Sequence, residues 1–231
     1  MDIKKDINFL QAVKDGEVKI KTSRIEECFS KSLFPKGNSK LNKSIWTFSY
    51  NSGTNCISDK LGLCGMSDIC YAKASENLFH NADCYDGVNK TYFHLTSAKN
   101  MASYLIQKNK NARKHHLKVL RLNVSGDILK KEDIRKFDLL ARYLREVLDV
   151  PTYLYTKRLD LLPSLRKARY LHINLSQAFV DGFSSYIALD KEEMEEALTF
   201  GIIDTVCHCE DCLSCRKCIE GKNIKIGCLI H

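Results

Sequence analysis

The feature that most constrains this chain is a strand-then-helix alternation that recurs along most of its length. Ile45-Trp46-Thr47-Phe48-Ser49-Tyr50 combines aromatic and β-branched residues and predicts a strand. Thr91 to Gln107 places Leu95, Ala98, Ala102, Leu105 and Ile106 at helical spacing, and Val119 to Val124 predicts a second strand. Lys131 to Leu148 is the clearest amphipathic helix, with Ile134, Phe137, Leu140, Leu144 and Leu148 on one stripe. Thr152–Tyr155, Tyr170–Leu175, Tyr186–Leu189 and Ile202–Val206 predict four more strands. A short helix over 159–168 and an acidic one over 191–200 fall among them. Such alternation builds a parallel sheet through right-handed crossovers. The expected class is α/β, a partial or full (β/α) barrel with parallel strands and a cysteine-rich C-terminal tail.

A chain of 231 residues suits one domain with a sizeable core, and 44% hydrophobic residues exclude wholesale disorder. Residues 1–43 read as a Lys-rich N-terminal extension with short helical pieces. Residues 44–206 read as the barrel-like domain, and 207–231 as a metal-binding tail. No apolar run approaches the ~20 residues that span a bilayer, so no membrane partner is expected. The start, Met1-Asp2-Ile3-Lys4-Lys5-Asp6, lacks an apolar secretory core, so a cytoplasmic location is expected.

Polar residues follow the predicted strands: Asn51 and Cys56 after the first, Ser125, Gly126 and Asp127 after the second. Thr156 and Lys157 follow the third, Ser176 and Gln177 the fourth, and Cys207 the sixth. In parallel α/β folds ligands bind at the C-terminal strand edge, so both cysteine groups are expected to border that rim.

The 11 cysteines fall in two groups, five between Cys28 and Cys84 and six between Cys207 and Cys228. In a reducing compartment that packing favours metal ligation over disulfides. Cys56, Cys64 and Cys70 stand in one Gly-punctuated loop and are candidates for three irons of a [4Fe–4S] cluster, leaving the fourth iron open. Cys84 or His80 would instead complete a zinc site. In the second group Cys209, Cys212, Cys215 and Cys218 follow at three-residue steps, as in bacterial ferredoxins, although no Pro follows the last. The Cys-x2-Cys pairs equally suit zinc, with Cys228 or His231 as a distant ligand. One cluster or two, or a cluster and a zinc ion, are the alternatives.

A carboxylate beside a glycine at a strand end can accept ribose hydroxyls, which makes Asn123, Ser125 and Asp127 candidates for nucleoside binding. The competing role for Ser125 or Asp127 is capping the helix that follows. Tyr155, Lys157 and Arg158 bring hydrogen-bonding and cationic groups to another strand end, where they suit a carboxylate or a phosphate.

A strand followed by a three-cysteine loop that closes in Cys70-Tyr71-Ala72 resembles the cluster loop of radical S-adenosylmethionine enzymes, especially the spore photoproduct lyase type. The standard spacing there is Cys-x3-Cys-x2-Cys, against Cys-x7-Cys-x5-Cys here. Closer is the phage and mobile-element family called gene product 88. The chain resembles it in Trp46-Thr47-Phe48-Ser49, Thr54-Asn55-Cys56 and Cys70-Tyr71-Ala72-Lys73. It also does so in Arg121 to Asp127, in Tyr155-Thr156-Lys157 and in the final Cys-x2-Cys run, over roughly residues 41 to 231. The first resemblance implies S-adenosylmethionine at the open iron, an electron donor as partner, and hydrogen abstraction from substrate. It implies Asn123, Ser125 and Asp127 on the nucleoside, with Tyr155 and Lys157 opposite.

Between Gly87 and Gly126 there is no Asp or Glu but eight Lys or Arg, in a chain of net charge +8. This window is a candidate contact for nucleic acid or a nucleotide, or else a solvated helix face and loop. The contrasting function is a non-catalytic, zinc-stabilised nucleic-acid-binding protein.

Overall fold

The computed structural model describes residues 2–21, 26, 33–37, 41–79, 84–208 and 211–229. Seven strands form one sheet: β1 (Ile45–Phe48), β2 (Val119–Leu122), β3 (Thr152–Thr156), β4 (Leu171–Ser176), β5 (Ser184–Leu189), β6 (Thr205–Cys207) and β7 (Lys225–Leu229). Their order is β1-β2-β3-β4-β5-β7-β6, and every pairing is parallel. The fold is α/β as expected. The sheet is not closed into a barrel, and β1 and β6 stand at its edges.

One sheet face is apolar because alternate residues of each strand are: Trp46 and Phe48, Leu120 and Leu122, Leu154, Ile173 and Leu175 are all buried. Helices α1 (Ile3–Asp15), α5 (Ala98–Lys110) and α6 (Lys131–Leu148) cover this face with Leu10 and Val13, Met101 and Leu105, and Phe137, Leu140 and Leu144. The N-terminal helix thus shares the main core. Farther along, α8 (Lys191–Thr199) packs Met194 and Ala197 beside Ile203. A Cβ at Gly227 would stand 2.5 Å from both Ile203 and Met194, so β7 lies against this cluster only with glycine there.

The elements between the strands carry the rim. Short α2 (Ile57–Lys60) and α3 (Tyr71–Phe79) follow β1, then a π-helical turn over Cys84–Asn89 and α4 (Lys90–Leu95). The helix predicted over 91–107 is broken at Ser97, which caps α5 by accepting the Asn100 N–H at 3.2 Å. A 3₁₀ turn over Leu159–Leu161 and the single turn α7 (Leu162–Leu165) replace the short helix over 159–168.

Two strands stop earlier than the sequence pattern predicts, each for its own reason. After β1, the Ser49 hydroxyl accepts the Ser125 N–H at 3.0 Å, and the Tyr50 hydroxyl donates to Asp133 at 2.9 Å. After β2, Asn123 turns left-handed at φ 52°. Past β6, α9 (Cys212–Cys215) and α10 (Lys217–Glu220) cross the open sheet face before β7, a strand the periodicity did not reveal.

Candidate functional site

The C-terminal strand edge is held by three acidic side chains. Asp127 is buried, and its carboxylate accepts from Ser58 Oγ at 2.7 Å, Thr156 Oγ1 at 2.6 Å, and the N–H groups of Lys157 at 2.8 Å and Ile128 at 2.7 Å. It therefore joins α2 to the ends of β2 and β3. Burial pushes its pKa up, against the pull of those four donors. Glu76, buried on α3, accepts from the N–H groups of Gly53 at 2.7 Å and Thr54 at 3.1 Å, and from the Ser125 hydroxyl. Asp86 accepts from Ser52 Oγ at 2.6 Å, Ser52 N at 3.0 Å and Asn55 Nδ2 at 2.7 Å. Gly126, at φ 68°, is required between them because a Cβ there would overlap the Asn51 side chain.

This scaffold carries the first cysteine loop. Cys56 precedes α2, Cys70 precedes α3, and Cys64 lies between; all three are partly buried. Burial pushes the Cys56 thiol up, and Cys64 adds to the effect. Lys73 pairs with Asp59 at 2.7 Å and bonds Ser67 Oγ at 2.6 Å. Its charge is favoured first by Asp59 and also by Cys70 and Cys64, so these thiols gather on one side of α3.

The second constellation lies on the sheet face away from the large helices. Registered neighbours in a parallel sheet point the same way, so Arg121 and Tyr153 share this face. By the same rule so do Tyr155 and Asn174, and Cys207 and Cys228. The crossing segment docks here, with Ile219 buried among Leu41, Ile45, Val119 and Tyr153 and with Cys212, Leu213 and Cys218 packed beside them. Asn174 Nδ2 donates to the Cys218 carbonyl at 2.8 Å, and Ser184 Oγ to the Gly221 carbonyl at 2.8 Å. Cys218 contacts Cys207, and that contact, with burial, pushes its thiol far up; the Tyr155 hydroxyl also bonds it. Cys212 is raised by burial and then by Cys207, while Arg121 pulls it down.

On this face the Arg121 guanidinium lies 5.0 Å from the Tyr155 ring, with Tyr71, Tyr153 and Tyr186 around it. Among the described residues it makes no ion pair, and its buried Nε has no hydrogen-bond partner. Asn123 Oδ1 and Nδ2 and Asn174 Oδ1 are likewise buried without partners.

The structure thus separates the nucleoside-binding candidates. Asn123 keeps an uncommitted amide, whereas Ser125 and Asp127 are spent on holding the rim. Tyr155 faces the thiols. Lys157 gives its N–H to Asp127, and its half-buried ammonium makes no ion pair among the described residues. Of the tail cysteines, Cys212 and Cys218 meet on the sheet face, and Cys215 is exposed. Cys209, His80 and His231 lie outside the described residues. None of the nine described cysteines is in a disulfide. Among the described residues no three His, Cys, Asp or Glu side chains close on one point as a metal shell.

The basic window is dispersed. Lys99 pairs with Asp6 at 2.9 Å, Lys108 donates to the Phe34 carbonyl at 3.1 Å, and Arg121 is on the thiol face. Lys110, at the end of α5, and Arg113, Lys114 and Lys118, on the α5–β2 loop, remain exposed. That loop enters β2 from its N-terminal end, opposite the thiol rim. No helix is long and apolar enough among the described residues to cross a membrane.

Sequence reasoning missed Glu76 and Asp86, which carry no motif of their own. It also missed the tyrosine-ringed Arg121, whose signal was the period-two spacing of Tyr153 and Tyr155 beside Arg121 on the preceding strand. No curated protein and no solved structure matches the chain. The profile described as Gene product 88 matches residues 24–180, about two thirds of the chain. The match contains the first cysteine loop, the Asp127 hub and β1 to β4, and it ends before the second cysteine group. On that match the chain belongs to the gene product 88 family, a phage-type gene product family.

Proposed function

We propose that this chain is an iron–sulfur protein in which Cys56, Cys64 and Cys70 hold a cluster at the rim and the C-terminal cysteines hold a second thiolate centre. One observation carries the proposal. Tyr71, the residue after Cys70 of the first loop, and Cys212 of the tail both lie near one guanidinium, that of Arg121. A three-thiolate cluster leaves one iron for an outside ligand, and in the radical S-adenosylmethionine enzymes that the loop resembles, that ligand starts the chemistry when the cluster supplies an electron.

The protein's own part is positional. Glu76, Asp86 and Asp127 fix the loop on the sheet edge. The unfilled amide of Asn123 offers a donor and an acceptor to a nucleoside. Lys157 suits the phosphate of a nucleotide or nucleic-acid substrate. Such a protein requires an electron donor as partner. A zinc-stabilised, non-catalytic role is the second reading, favoured by the way the tail clamps the open sheet face through Ile219.

Anaerobic purification with iron, sulfide and zinc analysis separates the two. Iron and sulfide in near-equal amount are expected, falling by about half when Cys56, Cys64 and Cys70 become Ala. Unchanged iron in that variant removes the rim loop from the proposal, and zinc without iron overturns it. Incubation of the reduced protein with S-adenosylmethionine, followed by assay for 5′-deoxyadenosine, tests the finer reading.

A further inference from the structure

We infer that the N-terminal edge of the sheet, across β1 to β4, is a binding surface for the phosphodiester backbone of duplex nucleic acid, recognised by charge and not by base sequence. The edge lies at the other end of the strands from the first cysteine loop, so the inference stands apart from the metal reading above.

The four strands begin level to within a residue: Ile45 registers with Val119, Leu120 with Thr152, and Thr152 with Leu171. The segments entering them therefore end in one row, three strand spacings or about 14 Å long. The segment before β1 brings Lys36 and Lys43, and the one before β2 brings Arg113, Lys114 and Lys118, all exposed. The segment before β4 adds Arg166, Lys167 and Arg169, also exposed and far away in sequence. Lys36 Nζ donates to the Lys114 carbonyl at 2.6 Å, which ties the first two segments together. Among the described residues of the four segments the only carboxylate is Asp149, before β3, and it pairs with Arg145 at 3.3 Å. None of the eight cations makes an ion pair among the described residues.

Helix ends account for part of this charge. Helices α5, α6 and α7 all finish at this edge, and Lys110, Arg145 and Arg166, in or beside their last turns, suit the negative helix ends. That effect fades within a turn, and Lys43, Lys114, Lys118 and Arg169 lie beyond it. A row of one sign repels itself, and a polyanion that sheds its counterions on binding relieves the repulsion. An anionic membrane is also polyanionic, but interfacial binding takes apolar side chains as well. Of the large apolar side chains described in these segments only Tyr170 is exposed, and the Arg142 guanidinium lies 5.2 Å from its ring. With no open Phe, Tyr or Trp to stack a base, the row fits a duplex, which carries one charge per about 1.7 Å of axis, better than a single strand.

The test titrates the chain as purified against a short fluorescein-labelled DNA duplex by anisotropy. Neutralising about five phosphates gives a log–log salt slope of about −4.5, a fall in affinity of roughly 500-fold from about 50 to 200 mM salt. Lys114→Gln with Lys118→Gln should remove about two contacts and cut that fall to about 40-fold. Lys167→Gln with Arg169→Gln should do the same, and the two pairs together should add. Lys114→Arg with Lys118→Arg should keep the parent slope, and Lys191→Gln on α8 should change nothing. Circular dichroism on each variant separates lost contacts from misfolding. Single-stranded DNA of the same sequence should bind more weakly with a flatter slope; tighter single-strand binding overturns the duplex assignment. A parent that does not bind duplex at about 50 mM salt, or a slope that neither pair moves, overturns the inference. A slope moved by one pair alone overturns the joined edge, and tighter binding to phosphatidylserine vesicles than to duplex overturns the choice of partner. None of these readouts depends on metal content, so their failure leaves the proposed function standing. A chain that binds duplex but holds no iron loses the proposed function and keeps this surface.

Discussion

Asp127→Asn discriminates a carboxylate that holds the rim from one that binds a nucleoside. In the parent, Oδ1 accepts from Ile128 N at 2.7 Å and Thr156 Oγ1 at 2.6 Å, and Oδ2 from Ser58 Oγ at 2.7 Å and Lys157 N at 2.8 Å. The substitution turns one oxygen into a donor. Whichever way the amide sits, it faces one hydroxyl and one backbone N–H. The hydroxyl can rotate to accept, but the N–H cannot. One charge-assisted bond is lost, at about 1.5–3 kcal/mol, and a buried N–H is left unmatched at about 1–3 kcal/mol. Against this, the neutral amide escapes the desolvation that pushes the Asp127 pKa up. The expected net loss is about 2 kcal/mol, or a fall in Tm of about 4–8 °C for a chain of this size. Urea unfolding followed by circular dichroism measures it, and combining Asp127→Asn with Thr156→Val should show a coupling of about 0.5–3 kcal/mol. A variant within about 0.5 kcal/mol of the parent that nevertheless loses ligand binding would refute the hub assignment and restore the nucleoside role.

Gly126→Ala forces a Cβ into the Asn51 side chain at φ 68°, and a loss of about 2–4 kcal/mol in the same urea assay is expected. Asp6 is held below the usual carboxylate range, first by the Tyr143 hydroxyl at 2.6 Å and then by Lys99 at 2.9 Å. A depressed folded pKa means its contribution is complete at neutral pH and fades as pH falls through that folded value, below the usual ~4. The stability gap between the parent and Asp6→Asn should therefore be widest near neutrality and close in acid, and a gap that widens in acid contradicts this. Charge reversal at Lys110, Arg113 and Lys114 should weaken any single-stranded DNA binding and flatten its salt dependence. Because their loop lies at the opposite sheet edge, metal content should not change; coupled loss of both would place the loop at the thiol site.

The sheet was legible because its code is local. Alternation in Trp46-Thr47-Phe48 and Leu120-Arg121-Leu122 announces one buried and one polar face, and the α6 stripe from Ile134 to Leu148 states its own period. The rim was less legible because it is built by side chains that meet only after folding. Glu76 reaches Gly53 and Ser125, and Asp127 reaches Ser58 and Thr156, across separations that no spacing rule encodes. The cations of the acid-free window part company for a related reason. Its cations share a stretch of sequence, yet α5 and β2 send Lys99, Lys108 and Arg121 to three different environments.

The order of the last strands explains where the described cysteines of the second group come to lie. Strand β7 inserts between β5 and β6, so the connection must run from the C-terminal end of β6 back to the start of a parallel strand. The helix-covered side is already filled by α8 against Gly227. The connection takes the other face, where Ile45, Val119 and Tyr153 offer apolar surface that Ile219 covers. Seating Ile219 there brings Cys218 to Tyr155 and Cys207, and Cys212 to Arg121. The demand for burial on an open sheet face decides which of the described thiols meet.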